Sequence, residues 1–416
     1  MRQTTLWARL LGVGGLIVED VDAEIGATGE VAAIVVAVRV PRRETGRCGV
    51  CQQRGPGYDL GEGRRRGQAL ALGTCPTDLE AAAPRVRCAA HGVVVAGPWA
   101  RHGAGHTRAV DDTVAWLVTP TAQSTAVARR RVAWRTVGAI VTRVSTDAPA
   151  KQARFAHLRR IGIDEIRDTR GYRYLTVVGD HDSGRLVWAA AGRDAATLRP
   201  FCDALGPERG AALTLVSADA AASIAAVVRE RCPPATRCLD PFPVVPWATA
   251  ALDEMRRQVW NAARRGGQTA LARELKRARF ALWTNPENLT ARQDATLSHI
   301  ARTNDRLYRA YLLKEQLRQV FQPRGHRGLA LLDDWLIWAS RCRILPFVKR
   351  ARSITAHRDA IAATLPHELS NARIESVNTK LRLLTRLAFG FSSADALIAL
   401  AMLSLGGRCA PLPGRA

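Results

Sequence analysis

RRIGIDEIRDTRGYRYLTVVGDHDSGRLVWAAAG, residues 159–192, reads as strand–strand–strand. In RRIGIDEIR the isoleucines alternate with polar or small residues, the period of a pleated strand. YRYLTVVGD and RLVWAAAG form a hairpin across the turn Asp182-Ser183-Gly184. Working outward, DAATLRPFCDAL is an amphipathic helix and AALTLVSAD a fourth strand ending at Asp219. AAASIAAVVRERC is a second helix and TRCLDPF a fifth, short strand. The order β-β-β-α-β-α-β predicts an α/β fold: a mixed five-stranded sheet with helices on both faces.

Two acids stand out against that sheet. Asp164 lies inside a strand, where aspartate is disfavoured, and Asp219 lies at the end of another. If the two strands are parallel neighbours, the carboxylates repel unless a cation sits between them. Hard oxygen ligands select Mg²⁺, or Mn²⁺, and a third acid would complete a two-ion site. SNARIESVNTKLRL, residues 370–383, offers Glu375. On a helix, Ile374, Val377, Leu381 and Leu384 form a buried seam, with Asn371, Glu375, Asn378 and Arg382 on the neighbouring strip. The strip predicts that Glu375 faces the rim of the sheet, with Asn371, Asn378 and Arg382 orienting it or holding a DNA backbone. Asp240, at the end of TRCLDPF, is the rival for the second acid.

The 416-residue chain carries 61 Lys and Arg against 37 Asp and Glu, a net charge of +24. Such a length implies several domains, and the arginine-rich charge suits a polyanion, with DNA as the favoured partner. No apolar run is long enough to span a bilayer and no signal peptide opens the sequence, which predicts a cytoplasmic protein. Nine cysteines then read as free thiols or metal ligands.

In the first hundred residues, short apolar strands alternate with Gly, Pro and Arg. Cys48-Gly-Val-Cys51 and Cys88-Ala-Ala-His91 each hold two ligands at the spacing of a zinc knuckle, and together predict a structural Zn²⁺. Cys75, His102 and His106 are alternative ligands. From Ala109 to Thr146 three short helical segments, with a tight turn before the last, suggest a helix-turn-helix. Arg129, Arg130, Arg131 and Arg135 flank that turn, where phosphates would pass. Residues 250 to 360 read as basic and helical, with a breaker at NPEN and one long helix over Ala291–Phe321.

The segments IGIDE, YLTVVGDHDSGR, VSAD, CLDPFPVV, ALDEMRR, NPENLT, RAYLLKEQLR and SNARIESVNTKLRLLTRLAFGF, in this order, resemble the transposases of the IS-L-three insertion-sequence family. The resemblance covers essentially the whole chain. It implies a ribonuclease H-like DDE transposase core with Asp164, Asp219 and Glu375 as the catalytic, metal-holding triad. It also implies an organisation of 1–105 zinc-ribbon-like, 106–150 helix-turn-helix, 151–245 first core part, 246–365 helical insertion, 366–407 last core helices and 408–416 tail. The amino-terminal modules would recognise the terminal inverted repeats of double-stranded DNA. The core would cleave a phosphodiester to a 3′-hydroxyl and join it to target DNA, as a homodimer or higher oligomer in the nucleoid-associated cytoplasm. Two departures stand out. His91 replaces the family's last zinc cysteine, and Asp240-Pro241-Phe242-Pro243 replaces Asp-Arg-Phe-His. Pro243 supports the alternative of a catalytically inactive or co-opted DNA-binding derivative.

Overall fold

The computed structural model describes residues 7, 11, 15–130, 132–146, 154–167, 174–240, 242, 244–323, 326–367, 369, 371–388, 391 and 393–407. Contacts divide the chain into two compact units. The first comprises residues 1–156, 185–187 and 379–416, and the second residues 157–184 and 188–378. Residues 379–407 thus group with the amino-terminal unit, whereas the sequence reading keeps them with the core. The close approach of the helix Ala394–Leu405 to the helix Trp134–Ser145 is what draws them there.

The first unit begins with strands β1 (Ile17–Ile25), β2 (Val31–Arg39), β3 (Gly57–Asp59), β4 (Arg64–Gln68), β5 (Thr77–Ala82), β6 (Arg85–Cys88) and β7 (Gly92–Val95). They form a four-stranded sheet, β1-β2-β5-β4, and a three-stranded sheet, β3-β6-β7. Val36, Val38, Leu79 and Ala81 supply the buried face of the larger sheet. Three helices follow, α1 (Arg108–Val118), α2 (Gln123–Arg130) and α3 (Trp134–Ser145), matching the expected segments. Val110, Val114 and Val118 of α1 are buried with Val137, Ile140 and Val144 of α3. Asp111 of α1 is fully buried and ion-paired to Arg143 of α3 at 3.4 Å, which fixes one helix against the other.

The second unit holds the sheet that the opening stretch predicts. Its strands are β8 (Arg160–Arg167), β9 (Tyr174–Asp180), β10 (Leu186–Ala191), β11 (Leu215–Ala218) and β12 (Thr236–Leu239). Helix α4 (Ala195–Leu205) connects β10 to β11, and α5 (Ala222–Arg231) connects β11 to β12. The strand order is β10-β9-β8-β11-β12. β8 and β9 are antiparallel, whereas β11 runs parallel to both β8 and β12. The central strands are buried along most of their length, as a sheet covered on both faces requires.

Beyond β12 the chain is helical. α6 (Val244–Arg265), α7 (Thr269–Arg277), α8 (Ala291–Thr303), α9 (Asp305–Val320), α10 (His326–Arg341), α11 (Leu345–Ala356) and α12 (Arg358–His367) precede α13 (Ala372–Leu387). The single long helix expected over 291–321 is two. Asn304 leaves helical geometry and its side chain caps α9, accepting from Leu307 N–H at 3.0 Å. Leu297, Ile300, Leu307 and Tyr311 are nevertheless all buried in the common core of these helices, around the fully enclosed Trp335. Two of the family-like segments prove to be one structural unit. Arg318 of RAYLLKEQLR grips Glu287 of NPEN through two bonds of 2.9 and 3.0 Å, and buried Lys314 donates to the Leu282 carbonyl at 3.0 Å.

Candidate active site and metal centre

Strand register places the acids. Ile163 of β8 is level with Ala218 of β11, and Ala218 with Leu239 of β12. The next residues are Asp164, Asp219 and Asp240, so three aspartates cross adjacent strands in one row, neighbouring strands being ~4.8 Å apart. Helix α13 brings Glu375. Its seam residues Ile374, Val377, Leu381 and Leu384 are buried as expected, and Glu375 is exposed on the flank. Gly162 explains how the helix comes so close to the sheet. A Cβ there would lie 2.4 Å from Ile374 Cγ1 and 2.7 Å from His181 Nε2, so a side chain at 162 would push the helix off.

The acids feel one another. Burial first, and then the charges of Asp219, Asp240 and Glu375, raise the Asp164 carboxyl to about 6, against the Glu165 N–H bond that favours its ionised form. Asp164 Oδ1 accepts from Glu165 N–H at 2.8 Å and Oδ2 from Asn378 Nδ2 at 2.6 Å. Asp240 is only 7% exposed and accepts from the backbone N–H groups of Phe242 and Asn371, at 3.3 and 3.4 Å. Asp219, on the more open strand end, accepts from Ala221 N–H at 2.9 Å. Glu165, Arg237, His181 and Ser217 belong to these surroundings and were not singled out from sequence. Arg237 donates to the Asp219 carbonyl at 2.7 Å, and burial shifts its guanidinium down while the Asp219 charge shifts it up. His181, buried, is lowered to about 4 by desolvation and then by Arg160 and Arg373. Nothing in periodicity marks such residues; only the fold brings them in.

In the first unit Cys48, Cys51, Cys88 and His91 converge, with all ligand atoms within 4.8 Å of one another. Among the described residues this set alone closes so tightly; the acids meet at the longer range of charge interaction. Cys51 Sγ lies 3.7 Å from Cys88 Sγ, and His91 Nδ1 lies 3.5 and 3.7 Å from Cys88 and Cys48. Those are the edges of a tetrahedron about one ion with sulfur at ~2.3 Å and nitrogen at ~2.0 Å. Gly49 lets the first knuckle sit against β7, since a Cβ there would meet the Val95 carbonyl oxygen at 2.4 Å. The His91 bond lowers Cys88 to about 6, the thiolate a metal requires. Cys75, His102 and His106 stand outside the cluster; Cys75 instead donates to the Val31 carbonyl.

Of the residues expected at DNA, Arg129 and Arg135 are exposed at either side of the turn before α3, and Arg130 is half-buried. Trp134, at the start of α3, is 50% exposed. Arg131 and Pro243 lie outside the described residues. Arg382 is exposed, but Asn371 and Asn378 are 2% and 3% exposed and bonded within the sheet rim, which turns them away from an external backbone.

Comparison with known proteins follows the same lines. A DDE family model of the IS-L-three type, described as transposase, matches residues 161–401. The chain is 55% identical over 436 aligned residues to transposases for insertion sequence element IS1557 from two strains of Mycobacterium tuberculosis, covering 100% of this chain and 98% of each relative. It is 25% identical over 297 residues to the transposase for insertion sequence element IS1001 of Bordetella parapertussis, covering 70% of this chain and 72% of that one.

Proposed function

Since this chain belongs to the IS-L-three family of DDE transposases, we propose that Asp164, Asp219 and Glu375 are the carboxylates with which it cuts and rejoins the ends of an insertion sequence. The protein is an enzyme of DNA transposition. The observation that carries the assignment is the register: Asp164 and Asp219 are level on neighbouring parallel strands, and the helix of Glu375 is seated on Gly162 beside them.

The sheet order, an antiparallel meander extended by two parallel strands, supports the ribonuclease H-like reading. The acid row fits Mg²⁺ or Mn²⁺ by its donor chemistry: several hard oxygens whose mutual repulsion burial has sharpened. Bound there, two such cations would neutralise the phosphate that these acids otherwise repel and strengthen water as a nucleophile. The chain's own groups then do the positioning. Asn378 and the Glu165 N–H hold the Asp164 carboxylate by both oxygens, and Arg237 sets the backbone carrying Asp219. Water attacks the phosphodiester at the element end, and the freed 3′-hydroxyl attacks target DNA at the same site.

Asp219 rather than Asp240 is the second acid. The carboxylate of Asp240 is enclosed and occupied by two backbone N–H groups, one of them at the start of the Glu375 helix, so it anchors structure. The Cys48, Cys51, Cys88, His91 cluster fits a structural Zn²⁺, four protein ligands leaving no open position for chemistry. The helices α1 to α3, with Arg129 and Arg135 exposed, suit terminal-repeat DNA, and the exposed Arg382 suits a DNA backbone. Holding two ends at once makes a dimer or larger assembly the working form. No described helix is long and apolar enough to cross a membrane, in keeping with a place in the cytoplasm beside the nucleoid.

A plasmid carrying the element ends tests the reading. With Mg²⁺ the wild type cleaves at the ends and Glu375→Gln does not; equal processing by both would remove Glu375 from the site. Pro243, standing where the family has His, favours the second reading of a silent DNA-binding derivative. In that case the wild type binds the ends and cleaves nothing.

A further inference from the structure

Asn371 sits where the acid-bearing strands and the Glu375 helix meet. Its Nδ2 donates at 3.4 Å to the carbonyl of Ile163, the residue before Asp164, and its Oδ1 accepts the hydroxyl of Ser217, two residues before Asp219. Its backbone N–H donates to Asp240 at 3.4 Å, and its carbonyl accepts the Glu375 N–H at 2.8 Å. Ser217 gives its one proton to Asn371, so the 2.6 Å contact with buried His181 is a bond from His181 Nε2–H to the serine oxygen. The side chain thus ties the two acid-bearing strands together while the backbone of the same residue ties in Asp240 and the Glu375 helix, which fixes their relative register.

Asn378 lies two turns further on. Its Nδ2 donates to Asp164 at 2.6 Å, while its Oδ1 is buried with no hydrogen-bond partner. A leucine has nearly the same shape and would fill the space without burying an unsatisfied oxygen, so packing does not explain the amide. The bond to Asp164 does.

We propose that Asn371 and Asn378 are positioning residues of the acid cluster: Asn371 fixes the start of the Glu375 helix against both acid-bearing strands, and Asn378 fixes the carboxylate of Asp164. This rests on the reading that Asp164, Asp219 and Glu375 hold divalent cations. Neither asparagine touches substrate. They act through the acids, as the outer partners of metal ligands do elsewhere.

The test is a calorimetric titration of the full chain with Mn²⁺, without DNA, on wild type, Asn378→Leu, Ser217→Ala and Asp164→Asn. Asn378→Leu is expected to keep or raise the melting temperature and to weaken Mn²⁺ binding by about tenfold or more. In end cleavage its half-saturating Mn²⁺ concentration rises and a near-normal rate returns at high Mn²⁺; a merely structural defect would lower the rate and leave half-saturation in place. Ser217→Ala, which removes the hydroxyl holding Asn371 and changes little volume, shifts the Mn²⁺ affinity in the same direction and decides the matter should Asn378→Leu not fold. If both variants bind Mn²⁺ like wild type while Asp164→Asn has lost it, the positioning role is wrong and the metal site stands. If Asp164→Asn also binds like wild type, the metal reading fails and takes this inference with it.

Discussion

An aspartate inside a β-strand is disfavoured unless something uses its charge, and Asp164 shows what that use requires. Its own burial, and then the neighbouring acids, push it up to about 6, a shift that a bound cation would reverse. Asp219 and Asp240 separate by the same logic. Asp219→Asn should lower end cleavage by about a hundredfold or more, whereas Asp240→Asn retains an oxygen for the two N–H groups and should remain active; a dead Asp240→Asn protein with intact folding would reverse the assignment. His181 makes a different prediction. Its folded pKa, lowered from 6.5 to about 4, means that the unfolded chain takes up a proton first as pH falls. The His181 contribution to stability therefore falls by up to about 3 kcal/mol as pH drops from 6.5 to 4, while Asp164, raised to about 6, shifts stability the opposite way over nearly the same range. Urea unfolding across this range should show the wild type losing up to about 3 kcal/mol relative to His181→Gln, because the Asp164 contribution is common to both proteins. Asp164 and Glu375 were legible in the sequence as an acid out of place and an acid beside a buried seam. His181, Ser217 and Arg237 were not, because a lone His, Ser or Arg in a strand or turn has no spacing to betray it.

At the scale of elements, close approach matters as much as pattern. Gly162→Ala should destabilise the second unit by about 1–3 kcal/mol, because the new methyl group meets Ile374 and His181. Cleavage should fall further than the stability loss explains, since the displaced helix carries Glu375; thermal melting together with an end-cleavage assay separates the two effects. The strands and the three helices α1 to α3 were readable from period and turn residues. The break at Asn304 was not, because the apolar stripe runs through it unbroken and only the Asn-Asp cap signals a new helix start. The Cys/His cluster was readable as two spaced pairs, though the choice among Cys75, His102, His106 and His91 needed coordinates. Metal analysis should find about one zinc per chain, lost in Cys48→Ala with unfolding of the smaller sheet first; unchanged zinc would remove Cys48 from the ligand set.

For the molecule as a whole, a net charge of +24 sets how it meets DNA. Affinity for terminal-repeat DNA should fall steeply and linearly on logarithmic axes as salt rises, and Arg135→Ala should reduce that slope by about one. An unchanged slope would place Arg135 away from the phosphates. The three acids are spread over more than two hundred residues of the chain, Asp164 to Glu375, and strand register with one glycine is what would join them in one site. The most direct measurement is anomalous diffraction from crystals of the protein soaked in Mn²⁺. Manganese density bounded by Asp164, Asp219 and Glu375 is the expected result; density elsewhere, or none at that site with Glu375 turned away from both aspartates, would overturn the assignment.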